Sequence, residues 1–389
     1  MSLPGPTATA DRAPGPDLAR GVMLLFIALA NTHYFLPAAE VRGGYPQDGT
    51  VVDRVVIWLL STFVDGRAFP MFGLLFGYGV AQIVRRQRPR GAAGVRHLLW
   101  RRSAVLIVVG LADALLFYVG DILAAYGVLL VIGAWMVRWK DSWLLGAATV
   151  FFVITALPSG DASTISLAGP DVSMLPPDPA TMIASRLPVA AVVALLGPLG
   201  FLCPFAIGLW AGRRRLLERP SRLLAVVAVS GLGAAVLGAQ PIALWLSGVS
   251  GLPNPEPAAA LHSATGTLGG LGYAALFALA GWRSRSIIAL GQRSMTFYLA
   301  QSVTWAIVFT PFLLDLSGRL TVTTTALLAT AAWAATVLIA GRMRRRGPFE
   351  TLVRRVTYRA WPRAQSRALS ATASQPGSAQ VQCERPGNS

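Results

Sequence analysis

The sequence contains little cysteine and little charge. Two of its 389 residues are cysteines, Cys203 and Cys383, which excludes a disulfide framework and a cysteine-based metal site. Only 13% of the residues are charged, whereas 54% are hydrophobic. This is too little polar side chain to cover a soluble globule, so lipid has to cover the remaining apolar surface.

Sequence motifs for several enzyme classes are missing as well. The chain has no GxxxxGK[ST] loop, no HExxH, no CxxC and no GxSxG, which argues against nucleotide-driven pumping and a serine nucleophile. The three histidines, His33, His97 and His262, fall on different segments, so no zinc triad is predicted. We therefore expect no bound cofactor and no metal.

Apolar runs near the length of a membrane span recur along the chain. They predict an all-α, polytopic membrane bundle of about ten transmembrane helices. The helices are expected near 21–38, 55–84, 103–119, 121–137, 143–158, 187–212, 222–247, 263–282, 294–314 and 320–341.

The basic residues that give the chain its net charge of +17 lie between these runs and form no patch typical of nucleic-acid binding. Nearly all of them fall in alternate connecting segments. The other connections carry only Arg42, Arg54, Arg186 and Arg319. By the positive-inside rule, this bias predicts a multi-pass protein of a bacterial cytoplasmic membrane with both termini in the cytoplasm. The expected partner is the lipid bilayer, not nucleic acid; the oligomeric state stays open.

Composition divides the chain into three parts. Residues 1–16 and 361–389 are polar or proline-rich and are expected to be a disordered leader and tail, on either side of a transmembrane domain at 17–360. The proline-punctuated loop from Ser159 to Arg186 is expected to be a surface cap or partly disordered.

Ionisable residues inside the apolar runs are few: His33, Asp65, Arg67, Asp113 and Asp121. A charge in the hydrocarbon core costs about 2.5–3.5 kcal/mol, so each needs a partner, water or an interfacial position. In one interpretation Asp65 or Asp113 neutralises Arg67 and joins helices, while Asp121 faces outer water. In the other, these groups line a polar pocket that opens outward.

The first helix carries a polar stripe. Asn31 follows Arg20 by eleven residues, which is close to three full turns, so both lie on one face about 16 Å apart. Asp65 precedes Phe69-Pro70, where the second predicted helix is expected to kink. We expect Arg20, Asn31, Asp65 and Asp113 to converge on one solvated chamber.

Four sequence blocks carry a family resemblance: Asp17-Leu-Ala-Arg20-Gly21 to Asn31; Phe69 to Gly77; Gly110-Leu-Ala-Asp113 to Gly120-Asp121-Ile-Leu with Tyr126; and Gly291 to Ser302 paired with Gly347 to Tyr358. In order and spacing they resemble the bacterial membrane-protein family called domain of unknown function 418, the YeiB-like proteins. At the level of the fold, this family is similar to the transmembrane acyltransferases that modify sugars and cell-envelope polymers.

The resemblance implies site residues. In the acyltransferase superfamily a histidine follows the arginine by eleven residues; here that position is Asn31, and an amide cannot act as a general base. Asp113 stands where the family is expected to have a histidine, and a buried aspartate could replace it as the base. The implied catalytic residues are Arg20, Asn31, Asp113 and Asp121. The candidate substrate-binding residues are Asp17, Tyr298 and Gln301 from these blocks, together with His33, Asp65 and Arg67 from the ionisable residues inside the apolar runs.

Three functions remain open at this stage. The first is an acyltransferase that uses acyl-CoA as co-substrate and modifies an unknown small-molecule or envelope acceptor. The second is a proton-coupled transporter of small molecules, in which the same buried carboxylates bind substrate or proton. The third is a non-catalytic membrane scaffold whose buried charges only hold helices together.

Overall fold

Helices and one short hairpin make up the part of the chain that the structure, a computed structural model, describes: residues 14–160, 162–280 and 284–358. The helices are α1 (Pro14–Thr32), α2 (Val51–Phe63), α3 (Ala68–Arg86), α4 (Gly91–Leu116), α5 (Leu123–Met136), α6 (Asp141–Thr155), α7 (Pro179–Arg213), α8 (Arg222–Leu246), α9 (Glu256–Leu279), α10 (Arg285–Gly291), α11 (Ser294–Phe309), α12 (Val322–Arg342) and α13 (Pro348–Tyr358). The strands β1 (Val41–Arg42) and β2 (Tyr45–Pro46) pair antiparallel, with Val41 opposite Pro46. The predicted all-α class is confirmed.

Five helical stretches in the described ranges are long and apolar enough to cross a membrane. They are Pro14–Phe35, Val51–Arg86, Pro179–Arg213, Arg222–Leu246 and Val322–Arg342. Two shorter helices, Leu123–Met136 and Asp141–Thr155, are also apolar. The surface carries many large hydrophobic side chains, which fits a lipid environment better than water.

Each of the ten predicted helices has a counterpart, with two notable differences. The second predicted helix divides into α2 and α3 around Gly66, whose φ of 72° is the left-handed conformation that glycine tolerates. The sixth predicted helix corresponds to α7, which begins at Pro179, eight residues before the predicted start. There Asp178 caps it by accepting bonds from the backbone N–H groups of Ala180 and Thr181 at 2.9 Å each. Arg186 is therefore a helical residue, not a loop residue.

The predicted outer loop is ordered where the structure describes it. Its 3-10 turn, Ser163–Ile165, leads to Ser166, whose backbone carbonyl accepts a 2.7 Å bond from the N–H of Gly43 in the hairpin. Farther along, the carbonyl of Ser173 accepts a 2.8 Å bond from Arg186 Nε. These contacts place the described part of the loop against the bundle, as expected for a surface cap.

The termini are described only in part. Helix α1 begins at Pro14, so the last three residues of the predicted leader are helical. The rest of the leader and the predicted tail, 361–389, lie outside the described residues.

Within the described part of the chain, the interior contains two apolar clusters, one toward each end of the bundle. The larger surrounds Met23, Tyr78, Tyr126 and Phe205, and lies toward the end where α3 ends at Arg86; we call this the basic end. The smaller surrounds Phe35, Ile57 and Phe309 and lies beside the β-hairpin; we call this the hairpin end.

Helices α3 and α7 approach closely in the larger cluster. A Cβ atom added to Gly77 would lie 2.2 Å from the carbonyl oxygen of Phe205, which no side chain permits. The glycines quoted in the second sequence block therefore bring the two backbones together. This contact fixes the wall of the pocket described next.

Candidate functional site

A half-open pocket of about 290 Å³ lies at the basic end, between α1, α3, α4, α11 and α13. Its lining residues come from several elements that are far apart in sequence. They include Asp17, Arg20, Phe72, Leu75, Phe76, Gly79, Arg85, Arg86, Arg102, Leu106, Leu123, Tyr126, Glu218, Gly291, Gln292, Met295, Tyr298, Glu350, Val353, Arg354 and Tyr358.

Every one of the four sequence blocks contributes to this lining. Asp17 and Arg20 come from the first block, Phe72, Leu75 and Phe76 from the second, Leu123 and Tyr126 from the third, and Gly291, Tyr298 and Glu350 from the two halves of the fourth. Blocks separated by up to about three hundred residues thus meet around one cavity.

The first and second blocks meet through Arg20. Its Nη1 forms an ion pair with Asp17 Oδ1 at 2.8 Å, and its Nη2 donates to the carbonyl of Leu75 at 3.3 Å. The carboxylate holds the guanidinium in a fixed orientation, and the helix-to-helix bond aims it at the pocket. Arg20 is therefore a positioned cation, not only an interfacial anchor.

The two halves of the fourth block meet through Glu350. Its carboxylate accepts bonds from the backbone N–H and the hydroxyl of Thr296, at 3.0 and 2.5 Å. Thr296 lies in the first turn of α11, so the negative charge caps that helix. Nearby, Arg293 donates to the carbonyl oxygens of Met343 and Arg345 at 2.6 and 2.9 Å. These bonds attach α13, which forms one side of the pocket, to α11.

Positive charge exceeds negative charge around the pocket. Five arginines face three acids there: Arg20, Arg85, Arg86, Arg102 and Arg354 against Asp17, Glu218 and Glu350. Arg85 pairs with Glu218 at 2.9 Å and also donates to the carbonyl of Gly212 at 3.1 Å. The surplus favours an anionic ligand group near the rim.

The opposite wall is aromatic. The ring of Tyr126 lies 4.4 Å from that of Phe72 and 5.1 Å from that of Phe76, measured between centroids. Leu106 and Met295 complete this surface. The pocket thus combines a cationic rim with an apolar interior, as suits a ligand that has an anionic part and an apolar part.

Tyr298 connects the pocket to a pair of carboxyl groups. Its hydroxyl accepts from the backbone N–H of Ile122 at 3.4 Å and lies near the carboxylate of Asp121. The carboxyl groups of Asp121 and Asp113 lie against each other, and Asp113 also faces Ser302 and Arg186. Both aspartates are buried, so the interpretation in which Asp121 faces outer water is wrong.

A glycine makes this carboxyl pair possible. A Cβ on Gly110 would lie 2.2 Å from the backbone nitrogen of Ala124 and 2.7 Å from Asp121 Oδ2. Because Gly110 has no Cβ, α4 can approach the start of α5, where Asp121 Oδ2 accepts from the N–H of Leu123 at 2.9 Å. This explains in physical terms why the third block contains glycine three residues before Asp113.

The hairpin end contains a second polar cluster. The ring of His33 stacks on Tyr45 with centroids 3.9 Å apart, and the Tyr45 hydroxyl donates to Asp65 Oδ2 at 2.6 Å. Arg67, completely buried, donates to the carbonyls of Asp65 and Ala235, the latter at 2.7 Å, and contacts His262 Nε2. The terminal nitrogens of Arg67 thus bond to backbone carbonyls and a histidine, and not to the carboxylate that the sequence suggested.

The predicted common chamber is wrong. Of its four residues only Arg20 lines the described pocket; Asn31 is buried farther along α1, Asp113 lies behind Tyr298, and Asp65 is at the hairpin end. Asn31 lies about 16 Å farther along α1 than Arg20, and it is not among the residues that line the pocket. Between α2 and α3 the helix is interrupted around Gly66, and Asp65 there bonds with Tyr45 instead.

The other predicted site residues divide in the same way. Asp17 and Tyr298 line the pocket. Gln301, one turn beyond Tyr298, is buried and donates to the carbonyl of Leu24 at 3.3 Å. His33 and Arg67 belong to the hairpin end, outside the pocket lining. The described pocket lies at the basic end, the end that the charge distribution predicts to be cytoplasmic, and not at the hairpin end.

Several pocket residues were missed from the sequence, chiefly Arg85, Arg86, Arg102 and Glu218. Arg85, Arg86 and Arg102 occur in a charge run between apolar segments, where they resemble ordinary interfacial anchors. The sequence feature that could have indicated this part of the pocket is Glu218, an acidic residue among the basic residues after α7. In the described ranges, no group of three or more His, Cys, Asp or Glu side chains could hold a metal ion.

Comparison with known proteins supports the resemblance over part of the chain. The family model described as "Protein of unknown function (DUF418)" matches residues 211–360, in agreement with the predicted resemblance over that part of the chain. The uncharacterized protein YxaH of Bacillus subtilis (strain 168) is 27% identical over 164 residues, 41% of this chain and 40% of that protein. The uncharacterized protein YeiB of Escherichia coli (strain K12) is 34% identical over 113 residues, 28% of this chain and 27% of that protein. The chain thus matches less than half the length of either relative.

Proposed function

We propose that this chain is an acyltransferase-like membrane protein that binds a cytoplasmic acyl-CoA in the basic-end pocket and passes its acyl group to a small-molecule or cell-envelope acceptor. The observation that carries this proposal is that all four sequence blocks line one pocket with a cationic rim and an apolar wall. The likeness to the acyltransferase superfamily adds support only by analogy of fold.

The proposed setting is a bacterial cytoplasmic membrane, crossed about ten times, with both termini inside. The concentration of arginines at one end supports it, because that end carries Arg85, Arg86, Arg102, Arg213 and Arg342. In this orientation the pocket faces the cytoplasm, where acyl-CoA is made.

The donor's chemistry matches the two halves of the pocket. Its phosphates would pair with arginines at the rim, such as Arg86, and its pantetheine and acyl parts would pack against Phe72, Phe76 and Tyr126. About 290 Å³ is small for the whole molecule, so the adenosine would lie outside the half-open rim.

The proposed step uses the carboxyl pair for proton transfer. The hydroxyl oxygen of the acceptor forms a bond with the thioester carbonyl carbon, and the C–S bond breaks. The hydroxyl proton passes to Tyr298 as the proton of Tyr298 moves to the carboxylate of Asp121. The proton held by Asp121 then returns through Tyr298 to the departing thiolate. Asp113 beside Asp121 supports this transfer, and Arg20 stabilises the negative charge that develops on the carbonyl oxygen.

A ligand screen on purified full-length protein tests the proposal. Acyl-CoAs of different chain length should raise the apparent Tm, and membranes containing the protein should consume the thioester and release free CoA. Replacing Asp121 by Asn should abolish turnover while binding remains. No turnover and no stabilisation with any acyl-CoA, in protein that is folded, would refute the proposal.

A proton-coupled transporter is the second candidate, favoured by the buried pair Asp113 and Asp121, since ionisable groups inside a membrane commonly carry protons. It predicts pH-dependent flux in proteoliposomes that Asp113→Asn abolishes, without any covalent product. A scaffold, by contrast, predicts that charge substitutions lower stability and that no ligand changes it.

A further inference from the structure

A second groove lies at the basic end, outside the pocket. It runs between the end of α3, the 3-10 turn Arg88–Arg90, the start of α4 and the end of α5, and has a volume of about 220 Å³. Its lining residues are Val84, Arg88, Gly91, Ala92, Val95, Ala134, Val137 and Arg138. None of these belongs to the pocket or to the carboxyl pair.

The charges in this groove come from two separate elements. Arg88 belongs to the turn after α3 and Arg138 follows α5, and both are exposed. None of the eight lining residues carries a carboxylate to neutralise them. The remaining surface is aliphatic, formed chiefly by Val84, Val95 and Val137. Two guanidinium groups above an apolar floor match a phosphate that is attached to hydrocarbon.

Tryptophans beside the groove indicate its depth in the membrane. The rings of Trp100 on α4 and Trp135 on α5 lie 5.9 Å apart, and both are exposed, by 36% and 51%. Arg96 lies over them, 5.4 Å from the first ring and 4.5 Å from the second. Exposed tryptophan with arginine is typical of the headgroup level of a bilayer. Trp139, also exposed, follows directly after Arg138.

We propose that this groove binds an anionic phospholipid, with the phosphate between Arg88 and Arg138 and an acyl chain along Val84, Val95 and Val137. The charge of the mouth selects an anionic headgroup, and the aliphatic floor at headgroup depth selects a lipid over free phosphate. This inference does not depend on the proposed acyl transfer, because the two sites share no residue.

The test measures lipid binding to the purified full-length chain in neutral detergent by native mass spectrometry. The ligands are phosphatidylglycerol, phosphatidylcholine with the same acyl chains, and inorganic phosphate. Phosphatidylglycerol should bind tightly and the other two weakly. The double substitution Arg88→Gln/Arg138→Gln should weaken phosphatidylglycerol binding about thirtyfold, because each arginine near an anionic surface raises the affinity roughly fivefold.

Two further variants separate the groove from general charge. Arg219→Gln/Arg222→Gln removes the same charge from exposed positions around the start of α8 and should leave binding unchanged. Ala92→Phe fills the groove, keeps every charge and should weaken binding, which also covers the case in which the double variant does not fold. Equal binding of phosphatidylcholine or phosphate, equal losses in both arginine pairs, or undiminished binding by Ala92→Phe would overturn the proposal.

Discussion

The two ends of the bundle use buried ionisable residues in opposite ways. At the hairpin end, Arg67, His262, Tyr45 and Asp65 are joined to one another and to backbone carbonyls. At the basic end, the charged groups surround a half-open cavity and reach the Asp113 and Asp121 pair through Tyr298. The first arrangement is bonded largely within the protein, whereas the second surrounds a space that has room for a ligand.

This difference separates structural charge from functional charge. Removing a member of a closed network leaves its partners buried without a bond, so stability should fall while ligand binding persists. Removing a group at an open pocket leaves its neighbours in contact with water, so binding or turnover should fall while stability persists. The four predictions below test this contrast.

The largest effect is expected for Asp121→Asn. If the carboxyl pair handles the proton, acyl transfer should slow by roughly 10²- to 10⁴-fold, as is usual when a general base is removed. Asparagine retains an oxygen that can accept from the N–H of Leu123, so the apparent Tm should change little. The matched control, Asp65→Asn at the hairpin end, should leave turnover intact. Loss of turnover in Asp65→Asn with turnover kept in Asp121→Asn would contradict the comparison.

Replacing Arg67 with Leu should lower the free energy of unfolding by about 3 kcal/mol, because two buried carbonyls lose a charged donor. The measurement is unfolding of the detergent-solubilised protein. Arg86→Leu at the pocket rim removes an equal charge from an exposed position and should cost little stability. If Arg67→Leu instead abolished donor binding in folded protein, the hairpin end would not be purely structural.

Gly79→Leu should weaken acyl-CoA binding at least tenfold without unfolding the protein. Even a Cβ at this position lies 3.2 Å from Arg20 Nη2, so a leucine side chain would occupy the pocket. Leucine is also a better helix former than glycine by roughly 0.8 kcal/mol, which favours folding. Gly200→Leu on the exposed side of α7, where nothing lies within 4 Å of the added Cβ, is the control and should leave calorimetric affinity unchanged.

The smallest effect is expected for Tyr45→Phe. It removes the 2.6 Å bond to Asp65 but keeps the ring stacked on His33, so stability should fall by about 1 kcal/mol. Ligand affinity should stay the same. A loss of affinity as large as that expected for Gly79→Leu would mean that the two ends are coupled.

Much of the fold could be predicted from the sequence because membrane helices are long and apolar. Helices α10 and α13 were missed for physical reasons: the first has seven residues, and the second carries four charged or polar side chains among its first eight positions. The start of α7 at Pro179 could have been found, because Asp178 before a proline is a common helix-start signal.

The site could be predicted only in part. Asp17, Arg20 and Tyr298 were found because they lie in the four sequence blocks, and all three line the pocket. Sequence does not distinguish a buried polar residue that meets a cavity from one that meets a backbone carbonyl. For that reason Asp65 and Arg67 were assigned to a site that they do not share with Arg20.

Cysteine protection gives the most direct test that acyl-CoA occupies the basic-end pocket. Met295→Cys, inside the pocket, and Val52→Cys, exposed at the start of α2, are each introduced into a chain carrying Cys383→Ser, so that buried Cys203 is the only other thiol. We predict that acyl-CoA slows maleimide labelling at position 295 severalfold and leaves position 52 unaffected. Unchanged labelling at position 295 under saturating acyl-CoA, or protection at position 52 instead, would contradict the account.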